Sequence, residues 1–381
     1  MKRTLGILLP TPPTPFSGMP LLGKPCRAHV EQALSNAGIP VVATAPADAA
    51  SLMALLADDV QHAVLTQETA PCLNAETYQA LIAAAQKRPS AILMDDMQTP
   101  LAMAFPASVL RGLPLVGAVT LERLIALLNE QSIAVKVVSP ANPAHCVSVT
   151  DATQFALAYR VLRAEIVRKH LSAGVVILEP ERTVIEADVR IGAGTVLYAD
   201  NTLQGGTVIG TGCTLYPNNR LENAIVGDQV TIESSVLNRC KVGSRTTVGP
   251  FAYLRPDATV GEHCRIGDFV EIKNSTIGDG TKVSHLTYVG DSDLGKDINL
   301  GCGVVFVNYD GKTKNRSRVD DHAFVGCNCN LIAPVHIGEN AYLAAGSTVV
   351  EDVPADALFV ARSRGVVKEN WVKRRKEQGK L

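Results

Sequence analysis

From residue 185 onward an aliphatic side chain returns at every sixth position: Ile185, Ile191, Leu197, Leu203, Ile209, Leu215 and Leu221. The phase slips and then resumes at Val242, Val248, Leu254, Val260, Ile266 and Ile272. Five-residue steps lead to Ile277 and Leu294, while Val283, Val289, Leu300 and Phe306 keep the interval. After a gap it returns at Val319, Val325, Leu331, Ile337 and Leu343, often with Gly next, as in Ile191-Gly192, Ile266-Gly267 and Ile337-Gly338. A period of six matches neither an α-helix nor a simple strand. It fits a triangular solenoid: each short strand covers one side, the aliphatic residue points inward, and Gly or Asn takes the corner where φ is positive. Three hexapeptides make one coil, and stacked coils bury a core that no single repeat buries alone. A β-sandwich with chance spacing does not hold phase over so long a stretch.

One interruption carries more than the others. Between Phe306 and Val319 the insert Val307–Arg318 is too polar for the core, so it must leave the prism as a loop, and inserts on solenoids often build the binding face. The first 149 residues read differently. Apolar segments at Leu5–Leu9, Pro40–Ala45, His62–Thr66, Ala91–Met94 and Ala134–Val138 alternate with helical patterns near His29–Ala37, Ala49–Ala57, Ala75–Lys87 and Leu121–Gln131. That alternation predicts a parallel α/β sheet. Asp151, with Gln154 three residues on, starts a helix whose stripe is Phe155, Tyr159, Leu162 and Ile166, expected to bridge the two domains. The expected organisation is therefore an α/β domain over 1–149, a linker helix over 150–180, the solenoid over 181–350 and a basic tail over 351–381.

Composition narrows the function classes. The chain has 381 residues, 46% hydrophobic and 19% charged, enough to bury two cores. A formal net charge of −1 argues against nucleic acid or an acidic membrane as partner, and only the tail, with Lys373-Arg374-Arg375-Lys376, is locally cationic. No apolar run is long enough to span a bilayer, and the apolar stretch after Met1-Lys2-Arg3 is too short for a signal peptide. A cytoplasmic protein is expected. The nine cysteines include no C-x-x-C pair, so neither a zinc site nor a thioredoxin-like motif is indicated, and small buried thiols are the expectation. In the C-x-C of Cys327 and Cys329, extended spacing would put both side chains on one face.

Several segments then resemble one family. They are Gly249-Pro250-Phe251-Ala252-Tyr253-Leu254-Arg255-Pro256, Gly267-Asp268-Phe269-Val270-Glu271-Ile272-Lys273, His285-Leu286-Thr287-Tyr288-Val289-Gly290-Asp291, Asn308-Tyr309-Asp310-Gly311 and Ala344-Ala345-Gly346-Ser347. From about residue 150 onward the chain resembles the GlmU family, the bifunctional N-acetylglucosamine-1-phosphate uridyltransferase/glucosamine-1-phosphate acetyltransferases. The resemblance implies a left-handed parallel β-helix, a hand that the period alone does not give and that departs from the usual right-handed crossover. It implies acetyl-CoA as co-substrate, no metal for acetyl transfer, a homotrimer, and an amino sugar phosphate as acceptor. By the same resemblance His285 is the general base, since an ammonium has no lone pair until deprotonated and imidazole titrates near working pH. Glu271, nearly one coil earlier, is the expected orienter of His285. Arg255 and Lys273 match residues that hold the sugar phosphate, with Tyr288, Asn299 and Lys314 completing the substrate pocket. Cys302, Asn308, Tyr309, Cys327, Ala345 and Arg362 match acetyl-CoA contacts. Family members commonly carry Ala and Ser where this chain has Cys302 and Cys327.

The first domain departs from the family. Its Gly-rich phosphate loop is replaced by Leu8-Leu9-Pro10-Thr11-Pro12-Pro13-Thr14-Pro15, and proline offers no N–H to a phosphate. A following Gly23-Lys24-Pro25 still resembles the family. Where the family carries a metal-binding aspartate the chain reads Glu68-Thr69-Ala70-Pro71, and where it carries an Asn pair, Thr150-Asp151. Uridyl transfer is expected to be lost. Competing readings are transfer to another amino sugar phosphate, a non-catalytic regulatory or scaffold homologue, and a metal lyase on the same solenoid. The last needs an H-x-x-x-x-H pair, which His263, His285, His322 and His336 do not supply.

Overall fold

A computed structural model describes residues 3–12, 14–16, 18–42 and 48–381, with the side chains of Val41 and Val42 left aside. Residues 1–2, Pro13 of the proline-rich segment and the end of the expected strand Pro40–Ala45 lie outside the described residues. Two compact units divide the chain: residues up to Ser172 with Ile185–Asp188, and Ala173–Val184 with Val189–Leu381.

The first unit is an α/β layer structure. Its elements run β1 (Arg3–Leu9), α1 (Cys26–Asn36), β2 (Val41–Val42), α2 (Ala49–Leu55), β3 (Val60–Gln67), α3 (Ala75–Ala85), β4 (Ala91–Met94), β5 (Pro100–Pro106), α4 (Ala107–Gly112), α5 (Leu121–Glu130), β6 (Lys136–Val137) and α6 (Ala152–Ser172). The sheet order is β2-β1-β3-β5-β4-β6. It is not the all-parallel sheet expected from the alternation: β5 runs antiparallel to both β3 and β4. Buried residues of β1, β3 and β5 pack against α2, α4 and α5 on one face, and against α1 and α3 on the other. The helix starts follow ordinary capping chemistry, Asp48, Asn74 and Thr120 each accepting from a first-turn N–H. Asp151 likewise accepts from Gln154 N at 2.8 Å, and Gln154 Oε1 accepts from Thr150 N at 2.9 Å, the reciprocal cap read from sequence. Phe155, Tyr159 and Leu162 of α6 lie against a buried cluster of Leu21, Cys26, Cys72, Val147, Val149 and Ala158.

The second unit is the left-handed β-helix. Its strands stack into three parallel sheets of eleven, ten and nine strands, one sheet for each side of the prism. The first face holds Lys282–His285, for example, the second Tyr288–Gly290 and the third Ser292–Leu294. The repeat aliphatics are the core: Leu203, Ile266, Ile272, Val283, Val289 and Leu331 are all fully buried. The interval also runs through the apparent phase slip, because Val226, Ile232 and Leu237 are buried core residues reached by shortened corners. A second inward position takes small polar residues that satisfy backbone carbonyls. Asn219 Nδ2 donates to Asn201 Oδ1 at 2.9 Å and to the carbonyl of Tyr216 at 2.6 Å, and Thr246 Oγ1 donates to the Gly261 carbonyl at 2.8 Å.

Candidate active site

The corner between the first and second faces carries a straight column of turn residues. Leu286 N donates to Asp268 O at 2.9 Å, Gly303 N to His285 O at 3.4 Å, Asn328 N to Cys302 O at 2.8 Å and Gly346 N to Cys327 O at 2.8 Å. Asp268, His285, Cys302, Cys327 and Ala345 therefore stack on successive coils. Arg362 extends the column, its Cδ lying 3.9 Å from where a Cβ on Gly346 would be. The orienter of His285 is Asp268, not Glu271. The ring Nδ1 donates to Asp268 Oδ1 at 2.5 Å, which leaves Nε2 with the free lone pair, and this bond holds the Asp268 carboxyl below its ordinary range. Register decides the matter. Asp268 pairs with His285 on the first face, whereas Glu271 pairs with Tyr288 on the second.

The opposite corner, between the second and third faces, gathers cations. A cleft of about 350 Å³ is lined by Arg255, Pro256, Asp257, Lys273, Asn274, Asp291 and Lys314. Arg255 lies 5.9 Å over the Tyr253 ring and donates to Glu271 Oε1 at 2.7 Å, a bond that raises the pKa of its guanidinium. Asp291, which the sequence reading did not single out, is the hub. It is nearly buried, at 6% exposure, accepts from Asn274 Nδ2 at 2.5 Å and from Asn308 Nδ2, and faces Lys273 Nζ at 3.5 Å. Asn308 Nδ2 also reaches Tyr288 Oη at 3.4 Å. Lys273 and Lys314 lie close enough to share a proton when Lys314 is neutral; that sharing, with Asp291 adding to it, raises the pKa of Lys273, and the same sharing together with the Lys273 charge lowers that of Lys314. With Arg255 alongside, the two lysine side chains bring positive charge and several N–H donors to one cleft, which suits a multiply charged anion.

Lys314 comes from the insert, which leaves the prism between Val305–Val307 and Ser317–Val319. The loop is a tight hairpin with Tyr309 and Lys314 paired. Asp310 ties it: Thr313 N donates to its carboxylate at 2.6 Å and Lys312 N at 2.8 Å, bonds that hold this carboxyl far below its usual range. Tyr309 is exposed, and Asn299 stands on the first face in register with Lys282 and Phe324, apart from the cation cluster. Asn308 sits with Asp291 and Tyr288 rather than in the column of Cys302, Cys327 and Ala345. Cys327 and Cys329 do not share a face, since Cys327 is exposed at the corner and Cys329 is buried inside. The residues matching the family's metal and nucleotide positions have other work: Thr69 Oγ1 is 3.0 Å from Ser148 Oγ, and Asp151 caps α6.

The coils and the sequence agree on a class. The bacterial transferase hexapeptide family (six repeats) matches residues 239–274, within the coils of the second unit. More particularly, the chain is similar to the bifunctional protein GlmU. It is 46% identical over 256 residues to that of Clostridium acetobutylicum, covering 67% of this chain and 56% of the relative. It is 47% identical over 256 residues to that of Acetivibrio thermocellus, with the same shares. The chain spans about half the length of the curated relatives it matches. Among solved structures, a UDP-N-acetylglucosamine acyltransferase of Francisella novicida aligns over 54% of this chain and 74% of its own, at 17% identity and a TM-score of 0.37, too loose a likeness to carry any argument.

Proposed function

We propose that this protein transfers acetyl from acetyl-CoA to the amine of glucosamine-1-phosphate, giving N-acetylglucosamine-1-phosphate for UDP-N-acetylglucosamine synthesis. The observation that carries this reading is the pairing of two opposite chemistries along one face: a histidine fixed by a carboxylate at one edge, and three cations around a cleft at the other. In this reading Arg255, Lys273 and Lys314 take the phosphate, with Tyr288 and Asn299 completing the sugar pocket. Nε2 of His285 removes a proton from the substrate ammonium, and the freed amine attacks the thioester carbonyl. The imidazolium formed is stabilised by Asp268, and the coenzyme leaves as its thiol. Acetyl-CoA lies along the column of Cys302, Cys327 and Ala345, with Asn308, Tyr309 and Arg362 as further contacts.

A homotrimer with sites shared between subunits belongs to the same reading. Two features support it: Asn299 stands apart from the rest of the pocket, and Phe251, Phe269 and Leu286 form an exposed apolar ridge at 57%, 58% and 56% exposure. Uridyl transfer is absent in this account, because prolines occupy the phosphate loop and the metal-site positions serve other bonds. No helix among the described residues is long and apolar enough to cross a membrane; a cytoplasmic site of action is part of the proposal. The test is to incubate the protein with acetyl-CoA and, separately, glucosamine-1-phosphate, glucosamine-6-phosphate and galactosamine-1-phosphate, and to read products by mass spectrometry. Preferential acetylation of the first supports the proposal. Preference for another acceptor moves the substrate, and no product from any of them leaves a scaffold.

A further inference from the structure

The cysteines of the solenoid occupy two kinds of place. Cys213, Cys240, Cys264 and Cys329 point inward. The thiols of Cys213, Cys264 and Cys329 donate to the carbonyls of Gly227, Gly278 and Ala344 at 3.1, 3.2 and 3.3 Å. Burial pushes the Cys264 thiol up to about 11 and that of Cys240 up to about 12, which leaves them unreactive. Cys302 and Cys327 are placed otherwise. Each follows a corner glycine, Gly301 or Gly326, and neither is buried: Cys302 is half-buried and Cys327 exposed.

The two are neighbours in the column that begins with Asp268 and His285. Asn328 N donates to Cys302 O at 2.8 Å, the same relation that Leu286 N has with Asp268 O at 2.9 Å. In that lower pair the side chains of successive members touch, His285 Nδ1 meeting Asp268 Oδ1 at 2.5 Å. Two steps along, the same register places Cys302 and Cys327 at matching positions on adjacent coils. Neighbouring parallel strands lie about 4.8 Å apart, inside the Cα separation of roughly 4.4–6.8 Å that a disulfide spans. His285 occupies the next step below Cys302, where it can accept a thiol proton.

We propose that Cys302 and Cys327 are an oxidisable pair that closes to an intramolecular disulfide when a peroxide reaches the site. The exposed Cys327 thiolate attacks a peroxide oxygen, becoming a sulfenic acid as hydroxide leaves. The first hydroxide takes up the proton that Cys327 lost; Cys302, its proton passing to His285, then attacks the sulfenic sulfur and expels a second hydroxide, which takes up the proton held by His285. Two thiols and one hydrogen peroxide thus give one disulfide and two waters. The bond itself needs nothing from the acetyltransferase reading. Its consequence rests on that reading: the crosslink fills the lane assigned to acetyl-CoA and stops transfer until a dithiol restores it.

The experiment treats the reduced full-length protein with hydrogen peroxide, blocks remaining thiols, and maps tryptic peptides without reduction. Lys312, Lys314, Arg316 and Arg318 lie between the two cysteines, so trypsin releases them on separate peptides unless they are bonded. The expected product is a linked pair lighter by two hydrogens, abolished by dithiothreitol. It should form in Cys329→Ser, which shares the second peptide, and not in Cys327→Ser. Acetyl transfer should fall at least tenfold with the same time course and return with dithiothreitol, while whatever rate Cys327→Ser retains should not respond to peroxide. A linked peptide that needs Cys329, a bond between two chains, or over-oxidised Cys327 without a link would overturn the pair. A linked peptide in a protein that transfers no acetyl even when reduced upholds the pair and sinks the acetyltransferase reading instead.

Discussion

Replacing Lys273 by Met keeps the apolar stem and removes one of the three cations around the cleft. The loss has two parts. A hydrogen bond between charged partners contributes about 1.5–3 kcal/mol, which alone corresponds to roughly a tenfold to hundredfold weaker phosphate affinity. The second part comes from Asp291, whose carboxylate faces Lys273 Nζ at 3.5 Å and would be left without its cation beside the incoming phosphate. Two like charges about 6 Å apart repel by roughly 3 kcal/mol at an effective dielectric of about 20, and solvent in the open cleft reduces that figure. Lys273→Met should therefore raise KM for glucosamine-1-phosphate by about a hundredfold or more, with kcat and the KM for acetyl-CoA within about threefold of wild type. The double variant Lys273→Met/Asp291→Asn removes the stranded charge and should recover part of the loss, so the two changes couple. Steady-state acetyl transfer with the sugar phosphate varied at saturating acetyl-CoA reads both effects. An unchanged KM, a loss confined to kcat, or a double variant worse than the sum of the singles would show that Lys273 does not hold the phosphate.

Other consequences are equally direct. Asp268→Asn removes the anion that fixes His285, and kcat should fall by roughly ten- to hundredfold with KM for both substrates little changed; a wild-type kcat would show that this bond does not serve catalysis. Gly267→Ala would place a Cβ 2.0 Å from the Ser284 carbonyl oxygen, prising apart the coils that carry Asp268 and His285. Its thermal unfolding should come several degrees lower and transfer should weaken, whereas an unaltered melting curve would contradict the contact. Lys314, with its pKa lowered by Lys273, loses its proton below the pH at which an ordinary lysine does, so phosphate affinity should begin to fall at correspondingly lower alkaline pH. Lys314→Arg, which stays charged, should abolish that drift; a drift of equal size in the arginine variant would assign it elsewhere.

The solenoid was legible because its signal is one aliphatic side chain per six residues, and every face must repeat it to close the core. The same reasoning lost the beat between Leu221 and Val242. There the three shortened corners, with Asn223, Ser234 and Arg239 at φ 50, 43 and 45, drop a residue each while keeping Val226, Ile232 and Leu237 inside. Strand β5 escaped notice because prolines bracket an Ala- and Met-rich stretch, and its antiparallel direction follows from the short return after β4. Asp268 was missed as the partner of His285 because Glu271 is also about one coil away. The separation of Ile266 from Val283, equal to the 17 residues from Asp268 to His285, contained the answer. Asp291 gave no comparable sign: its importance lies in three contacts from the two coils that flank it, which no spacing along the chain reports. The separation of Asn299 from Lys273 was likewise invisible in the spacing, since the two match one pocket in sequence but stand on different faces of the prism.

In the proposed reaction His285 abstracts the proton that frees an amino sugar for acetyl transfer. The most direct measurement is steady-state thiol release from acetyl-CoA with glucosamine-1-phosphate, followed over many turnovers to exceed the background from nine protein cysteines, in wild type and His285→Ala. Wild type should sustain turnover, and the variant should fall by roughly a hundred- to ten-thousandfold with sugar phosphate still bound. Turnover that survives in His285→Ala, or a folded wild-type protein that releases no thiol, would contradict it.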